Sequence, residues 1–167
     1  YPPCRTVVKL MLVILETTCD ETAAALVDEG LRVRGSVVAS QDELHATFGG
    51  VVPEIASRAH VERILPVIHQ ALERAGATLA DVSAVAVANT PGLAGSWLVG
   101  LAAVKALCAA LEVPLIAVNH LHGHVYACRM TAGVDVFPCT GFVVSGGHTT
   151  LFDCPSPLEF RVLGGTI

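Results

Sequence analysis

The chain has 167 residues, 53% hydrophobic and 15% charged, with a formal net charge of −5. That is one domain's worth of chain, or one lobe of something larger, with enough apolar content for a sizeable core. The acidic balance excludes a broadly basic nucleic-acid-binding surface, so any RNA partner would need a local patch or a second protein.

Residues 1–10 are expected to be a disordered leader, with Met11 as a working start. The run from Arg5 to Leu15 mimics a short signal peptide. It leads into polar Glu16 to Glu21 with no small-residue cleavage signature, so Val7 to Leu15 reads instead as a first strand buried on both faces. Ala23 to Val27 and Leu31 to Ser40 continue as strands around the turn Asp28-Glu29-Gly30, giving an antiparallel meander. Gln41 to Gly50 reads as loop. Pro53 suits a first helical turn, and apolar positions from Ile55 to Leu72 recur at helical spacing until Gly76. Pro66 is expected to kink this helix or split it in two.

Val82 to Ala88 reads as a buried strand and Asn89 to Gly92 as a turn. Gly95 to Leu111 reads as a long apolar helix whose only charge is Lys105. Leu115 to Val118 reads as a strand and His120 to Met130 as a helix. Cys139 to Val144, Thr149 to Cys154 and Phe160 to Leu163 read as strands of a second meander. The order is that of an α/β fold, and a second lobe is placed as starting from about residue 139. No apolar run is expected to be long enough to span a bilayer. The cysteines, at 4, 19, 108, 128, 139 and 154, show no C-x-x-C spacing and read as buried free thiols of a reducing cytosol.

Three imidazoles crowd Asn119-His120-Leu121-His122-Gly123-His124. If Asn119 caps a helix, His120 and His124 share one face and can grip one ion, while His122 points elsewhere. Two imidazoles do not complete a site, because a catalytic zinc usually has three protein ligands. A polar helix start with solvated histidines has the same spelling. Two polar strand-to-strand turns stand out: Thr17 to Thr22 and Ser145-Gly146-Gly147-His148-Thr149. Each alone suits a plain hairpin. The pair suits a phosphate-bearing ligand held between twin hairpins, where Asp20 and Glu21 could hold a bridging cation. Gly92 to Ser96 reads as loop plus helix cap, Arg58 and His60 as partly buried surface residues, and His45, His69 and His148 as uninformative.

Four ordered blocks then carry a resemblance. Glu16 to Thr22 resembles the E-T-S-C-D-E-T opening of the TsaD/Kae/Gcp family of tRNA threonylcarbamoyladenosine synthesis proteins, formerly called O-sialoglycoprotein endopeptidases. Phe48 to His60 is similar to its G-G-V-V-P-E-I-A-S-R-x-H block, Asn119 to His124 to its N-H-x-x-x-H metal motif, and Val143 to Thr149 to its V-S-G-G-H-T loop. The resemblance implies a ribonuclease-H-like lobe of the actin, sugar-kinase and Hsp70 ATPase (ASKHA) fold, a mixed sheet with helices on both faces.

It also implies transfer of threonylcarbamoyl from threonylcarbamoyl-AMP to N6 of the adenine 3′ to the anticodon in tRNAs that read ANN codons. One divalent metal per subunit, iron or zinc, is implied, with a nucleotide, threonylcarbamoyl-AMP or ATP. By position His120 and His124 would be metal ligands. Val143, Val144, Ser145, Gly146, Gly147, His148 and Thr149 would line the substrate site, and Asp20 and Glu21 would be catalytic. Implied partners are tRNA, a paralogous ASKHA scaffold and a small ATPase of the same pathway, in the cytoplasm and without a membrane, with a dimer through the helical face. The rival readings are a metalloendopeptidase, for which Leu121 stands where a zincin has its Glu, and a non-catalytic dimerising paralogue, which is expected to lack the histidine motif. Departures are His122, a candidate spare ligand, and Thr90 in place of a glycine. The chain is expected to be an N-terminal part, inactive alone, of a protein whose missing C-terminal lobe holds the third metal ligand.

Overall fold

The structure, a computed structural model, describes residues 10–145 and 149–166. Its contacts divide the chain into two compact units, residues 1–118 and 119–167. Residues 1–9, which hold all of the expected leader but Leu10 and the first residues of the expected opening strand, Val7 to Lys9, lie outside the described residues.

The first unit is built on a mixed sheet. β1 (Met11–Glu16), β2 (Glu21–Asp28) and β3 (Val33–Ser40) form the antiparallel meander, with Met11 opposite Asp28 and Glu16 opposite Ala23. β4 (Val82–Thr90) then runs parallel to β1, and β5 (Leu115–Asn119) lies outside it, giving the order β3-β2-β1-β4-β5. Period-two burial shows which face is covered: Met11, Val13 and Leu15 are buried, and Leu12 and Ile14 only half so. Onto the buried face pack α2 (Pro53–Ala75), against β2 and β3, and α3 (Ala94–Leu111), against β4 and β1. The two helices also pack on each other, so within this unit both long helices cover one side of the sheet. Ile64, Val67, Ile68, Ala71 and Leu72 of α2 meet Leu26, Val85, Val87 and Val104 in one core. Each large aliphatic side chain removed from water there contributes about 1.5–3 kcal/mol.

Three expectations are corrected. The stretch from Gln41 is not plain loop: α1 (Asp42–His45) and a 3-10 turn at Ala46–Phe48 occupy it, because Gln41 is buried and anchors the segment from inside. Of the two outcomes expected at Pro66, a kink or a split, the split is corrected: α2 runs unbroken for 23 residues. Pro66 faces solvent, where the carbonyl deprived of its N–H partner meets water. Thirdly, α3 is 18 residues long with a mean hydropathy of 1.7, so by length and composition it could cross a membrane. Packing on the sheet and α2 uses part of that composition: Ser96, Gly100 and Val104 are buried and Val99, Leu101 and Leu107 half-buried, while Leu98 is exposed.

The second unit holds α4 (His120–Ala132) and a meander of β6 (Cys139–Val144), β7 (Thr149–Ser156) and β8 (Glu159–Thr166) in the order β6-β7-β8. The strand pair expected around Ser145 to His148 is present, with Val144 opposite Thr149. Val125 of α4 closes the core over Val143, Phe152 and Cys154. Gly141 permits that approach, since a Cβ there would lie 2.8 Å from Val125 Cγ2.

Candidate functional site

In the second unit, α4 begins where its sequence says. Asn119 Oδ1 accepts from the backbone N–H of Leu121 at 2.9 Å and of His122 at 3.4 Å, capping the helix. His120 is therefore the first helical residue and His124 stands one turn on. Their rings meet edge to face with centroids 4.6 Å apart, and the two Nε2 atoms are 3.0 Å apart. That spacing fits a divalent ion about 2.0–2.1 Å from each nitrogen. No cluster of three or more His, Cys, Asp or Glu side chains suited to a metal occurs among the described residues.

His122 is not a spare ligand. Its ring stacks on Phe160 with centroids 3.9 Å apart and 9° between planes, and it meets Phe152 edge-on. Two residues from His120 on a helix, it lies on another face and packs into the aromatic cluster. Burial there pushes its pKa down.

His124 shares a cavity of about 360 Å³ with Val125 and Cys128 of α4 and with Val143, Val144 and Ser145 of β6 and the residue after it. One imidazole and three of the expected substrate residues thus face one space. Val143 is buried and its side chain belongs to the core, whereas Val144 and Ser145 are exposed. Thr149 is half-buried at the start of β7. Gly146, Gly147 and His148 lie outside the described residues.

The acidic turn belongs to the first unit. Glu21 opens β2 and is exposed, while Asp20 is half-buried. The turn is tied down from three sides. Thr17 Oγ1 donates to the Ser96 carbonyl at 3.0 Å, Leu93 N–H donates to the Thr18 carbonyl at 2.8 Å, and Gln41 N–H donates to the Asp20 carbonyl at 3.0 Å. Glu16 accepts from the Thr18 N–H in a short contact. Gly92 is required at the seam, because a Cβ there would lie 2.4 Å from the Thr18 carbonyl oxygen. Ser96 is fully buried, and its Oγ is the one buried side-chain oxygen or nitrogen without a hydrogen-bond partner among the described residues. Cys19, at the exposed tip, has its pKa pushed up to about 11 by burial of the thiol and by Asp20.

The residues that hold this turn from beneath were not legible as such. His60 is fully buried rather than a surface residue, and Gln41 and His45 are buried with it. Val52 N–H donates to His45 Nδ1 at 3.3 Å, which leaves His45 Nε2–H to donate to Gln41 Oε1 at 3.2 Å. Gln41 Nε2 reaches His60 Nδ1 at 3.3 Å and the Ala56 carbonyl at 3.4 Å. His60 Nδ1 also accepts from Thr22 Oγ1 at 2.8 Å, and Nε2–H donates to the Cys19 carbonyl at 3.0 Å. Donors run in one direction from the 41–52 segment through His60 to the turn carrying Asp20. Desolvation holds His60 below its usual pKa, so it is the neutral tautomer that fits. The signal in the sequence was positional: His60 falls on the same helical stripe as Ala56, Ile64 and Ile68, all buried.

Comparison with known proteins agrees with this architecture. The family model for tRNA N6-adenosine threonylcarbamoyltransferase matches residues 32–167. A curated relative of that name from Rhodopirellula baltica is 52% identical over 159 residues, 94% of this chain and 44% of the relative. One from Bacillus subtilis is 51% identical over 153 residues, 92% of this chain and 44% of the relative. The chain therefore spans less than half the length of these relatives. Among solved structures, YeaZ from Pseudomonas aeruginosa superposes with a TM-score of 0.65 at 23% identity, covering 93% of this chain and 65% of that one. That likeness identifies the fold as the ribonuclease-H-like ASKHA lobe. By residues matched and by identity, the chain belongs to the tRNA N6-adenosine threonylcarbamoyltransferase family.

Proposed function

We propose that this chain is the part of a tRNA-modifying acyltransferase that holds the acyl donor. The reaction is attack by N6 of the adenine 3′ to the anticodon, in ANN-decoding tRNAs, on the carbamoyl carbonyl of threonylcarbamoyl-AMP. The new N–C bond forms as the C–O bond to AMP breaks, and the amine gives up one proton. The observation that carries the reading is the cavity shared by His124 and Val143 to Ser145 in a chain 52% identical to a named transferase.

His120 and His124 offer two converging nitrogens, the donor type that suits iron or zinc. Such a metal supplies Lewis-acid polarisation of the carbonyl oxygen and a fixed template. Val144 and Ser145 stand at the end of β6, where backbone and hydroxyl groups can orient the donor against the imidazole pair. Asp20 and Glu21 bring negative charge to a turn that the His60 relay holds in place, which suits a divalent cation. An acidic chain meeting tRNA favours help from partners: a paralogous scaffold and a small ATPase in the cytoplasm.

Single-turnover transfer by the full-length protein, with metal content measured alongside, tests this. His120→Ala and His124→Ala are each expected to lose bound metal and to slow transfer by about 10²-fold or more, the scale of losing a preorganised electrostatic group. Wild-type rates and metal content in both variants would overturn the assignment.

A further inference from the structure

Cys139 and Cys154 stand directly opposite one another on β6 and β7. Opposed residues of an antiparallel pair project to the same face, with Cα atoms about 4.5–5.5 Å apart, inside the range of about 4.4–6.8 Å that a disulfide spans. The two thiols are free and close enough to hydrogen-bond. Cys154 is fully buried beneath α4, whereas Cys139 is half-buried and forms part of the cavity wall. One thiol is thus open to a small oxidant, and its partner waits beneath it in the core.

We propose that Cys139 and Cys154 are a redox-sensitive pair that closes to an intramolecular disulfide when peroxide reaches the cavity. In the first step the Cys139 thiol gives its proton to solvent and its sulfur attacks the peroxide O–O bond; the sulfur becomes sulfenic acid, and the departing hydroxide takes a proton and leaves as water. In the second, the Cys154 sulfur attacks the sulfenic sulfur, forming the S–S bond and releasing a second water. Two thiols are oxidised and one peroxide is reduced, so the electrons balance. Ordinary dithiols reverse the reaction. The bridge would staple the open end of the β6–β7 hairpin, whose closed end carries Val144, Ser145 and Thr149. Oxidation therefore stiffens the strand pair that frames the candidate site, without touching the imidazoles.

The test is to treat the reduced full-length protein with stoichiometric hydrogen peroxide, block free thiols, digest without reductant and analyse the peptides by mass spectrometry. A peptide pair joined through Cys139 and Cys154, lost on adding dithiothreitol and absent from Cys139→Ser, is expected. Hydrogen exchange gives a second readout: the β6–β7 amides should exchange about tenfold more slowly or better after oxidation, as expected when a loop of this size is closed covalently. Cys139 trapped as sulfinic acid beside an alkylatable Cys154, or cross-links only between molecules, would overturn the proposal.

Discussion

At the scale of single residues, His60 shows how an ionisable group in a core becomes a structural part. Its ring accepts from Thr22 and Gln41 at Nδ1 and donates to the Cys19 carbonyl from Nε2; a proton on Nδ1 removes the acceptor that Thr22 and Gln41 share, while the bond to Cys19 is kept. Because burial lowers its pKa in the folded chain, the unfolded chain binds that proton more readily. The contribution to stability is therefore complete above the unfolded value, about 6.5, and is lost as pH falls from there towards the lower folded value. Chemical denaturation at a series of pH values should show stability falling below about pH 6.5, with a shallower fall in His60→Ala, where half-buried His122 supplies the part that remains. At neutral pH that variant strands Gln41, Thr22 and a carbonyl, and is expected to lose about 2–4 kcal/mol. Cys19 illustrates the opposite situation, a visible thiol kept protonated by burial and by the neighbouring carboxylate.

At the scale of elements, α2 is the informative case. A proline at its centre suggests a break, but the packed stripe from Ala56 to Leu72 carries the helix through. The penalty remains as a missing N–H bond on the solvent side. Pro66→Ala restores that bond without entering the core, and is expected to stabilise the protein by about 1–3 kcal/mol. Thermal unfolding of the two proteins side by side would reveal it, and a lower midpoint for the alanine variant would contradict this account. In α4, the Asn119 cap sets the phase of the helix. That phase sends His120 and His124 to one side and His122 into Phe160.

At the scale of the whole molecule, each unit has its own core and each is covered unevenly. The second sheet buries Val143, Phe152 and Cys154 under α4, while Phe142, Val144, Val162 and Leu163 remain 60–66% exposed. Phe142 and Val144 share the outer face of β6, and adjacent large apolar side chains in water mark a surface made to be covered. The 167-residue chain in isolation is expected to bind an apolar dye such as anilinonaphthalene sulfonate in its folded state. Phe142→Ser with Val144→Thr should cut that fluorescence at least about twofold without lowering the unfolding midpoint. Unchanged fluorescence would show that the dye sits elsewhere.

Much of this was decided by the order of residues alone. Alternation and apolar runs placed β1 to β8 and both long helices to within a few residues, since those periods reflect local geometry. Asn119 and the i, i+4 spacing were enough to pair His120 with His124. The four matching blocks, Glu16–Thr22 through Val143–Thr149, were enough to indicate the family, because order over a long span is more specific than any one motif. What the line of residues did not contain was depth. Gln41, His45 and His60 became a buried relay, His122 a stacking partner, Pro66 a tolerated interruption and Cys139 a neighbour of Cys154 only when strands and helices closed on one another. Burial, and with it the hydrogen-bonding and ionisation of each side chain, is set by contacts between residues far apart in sequence, which local periodicity does not encode.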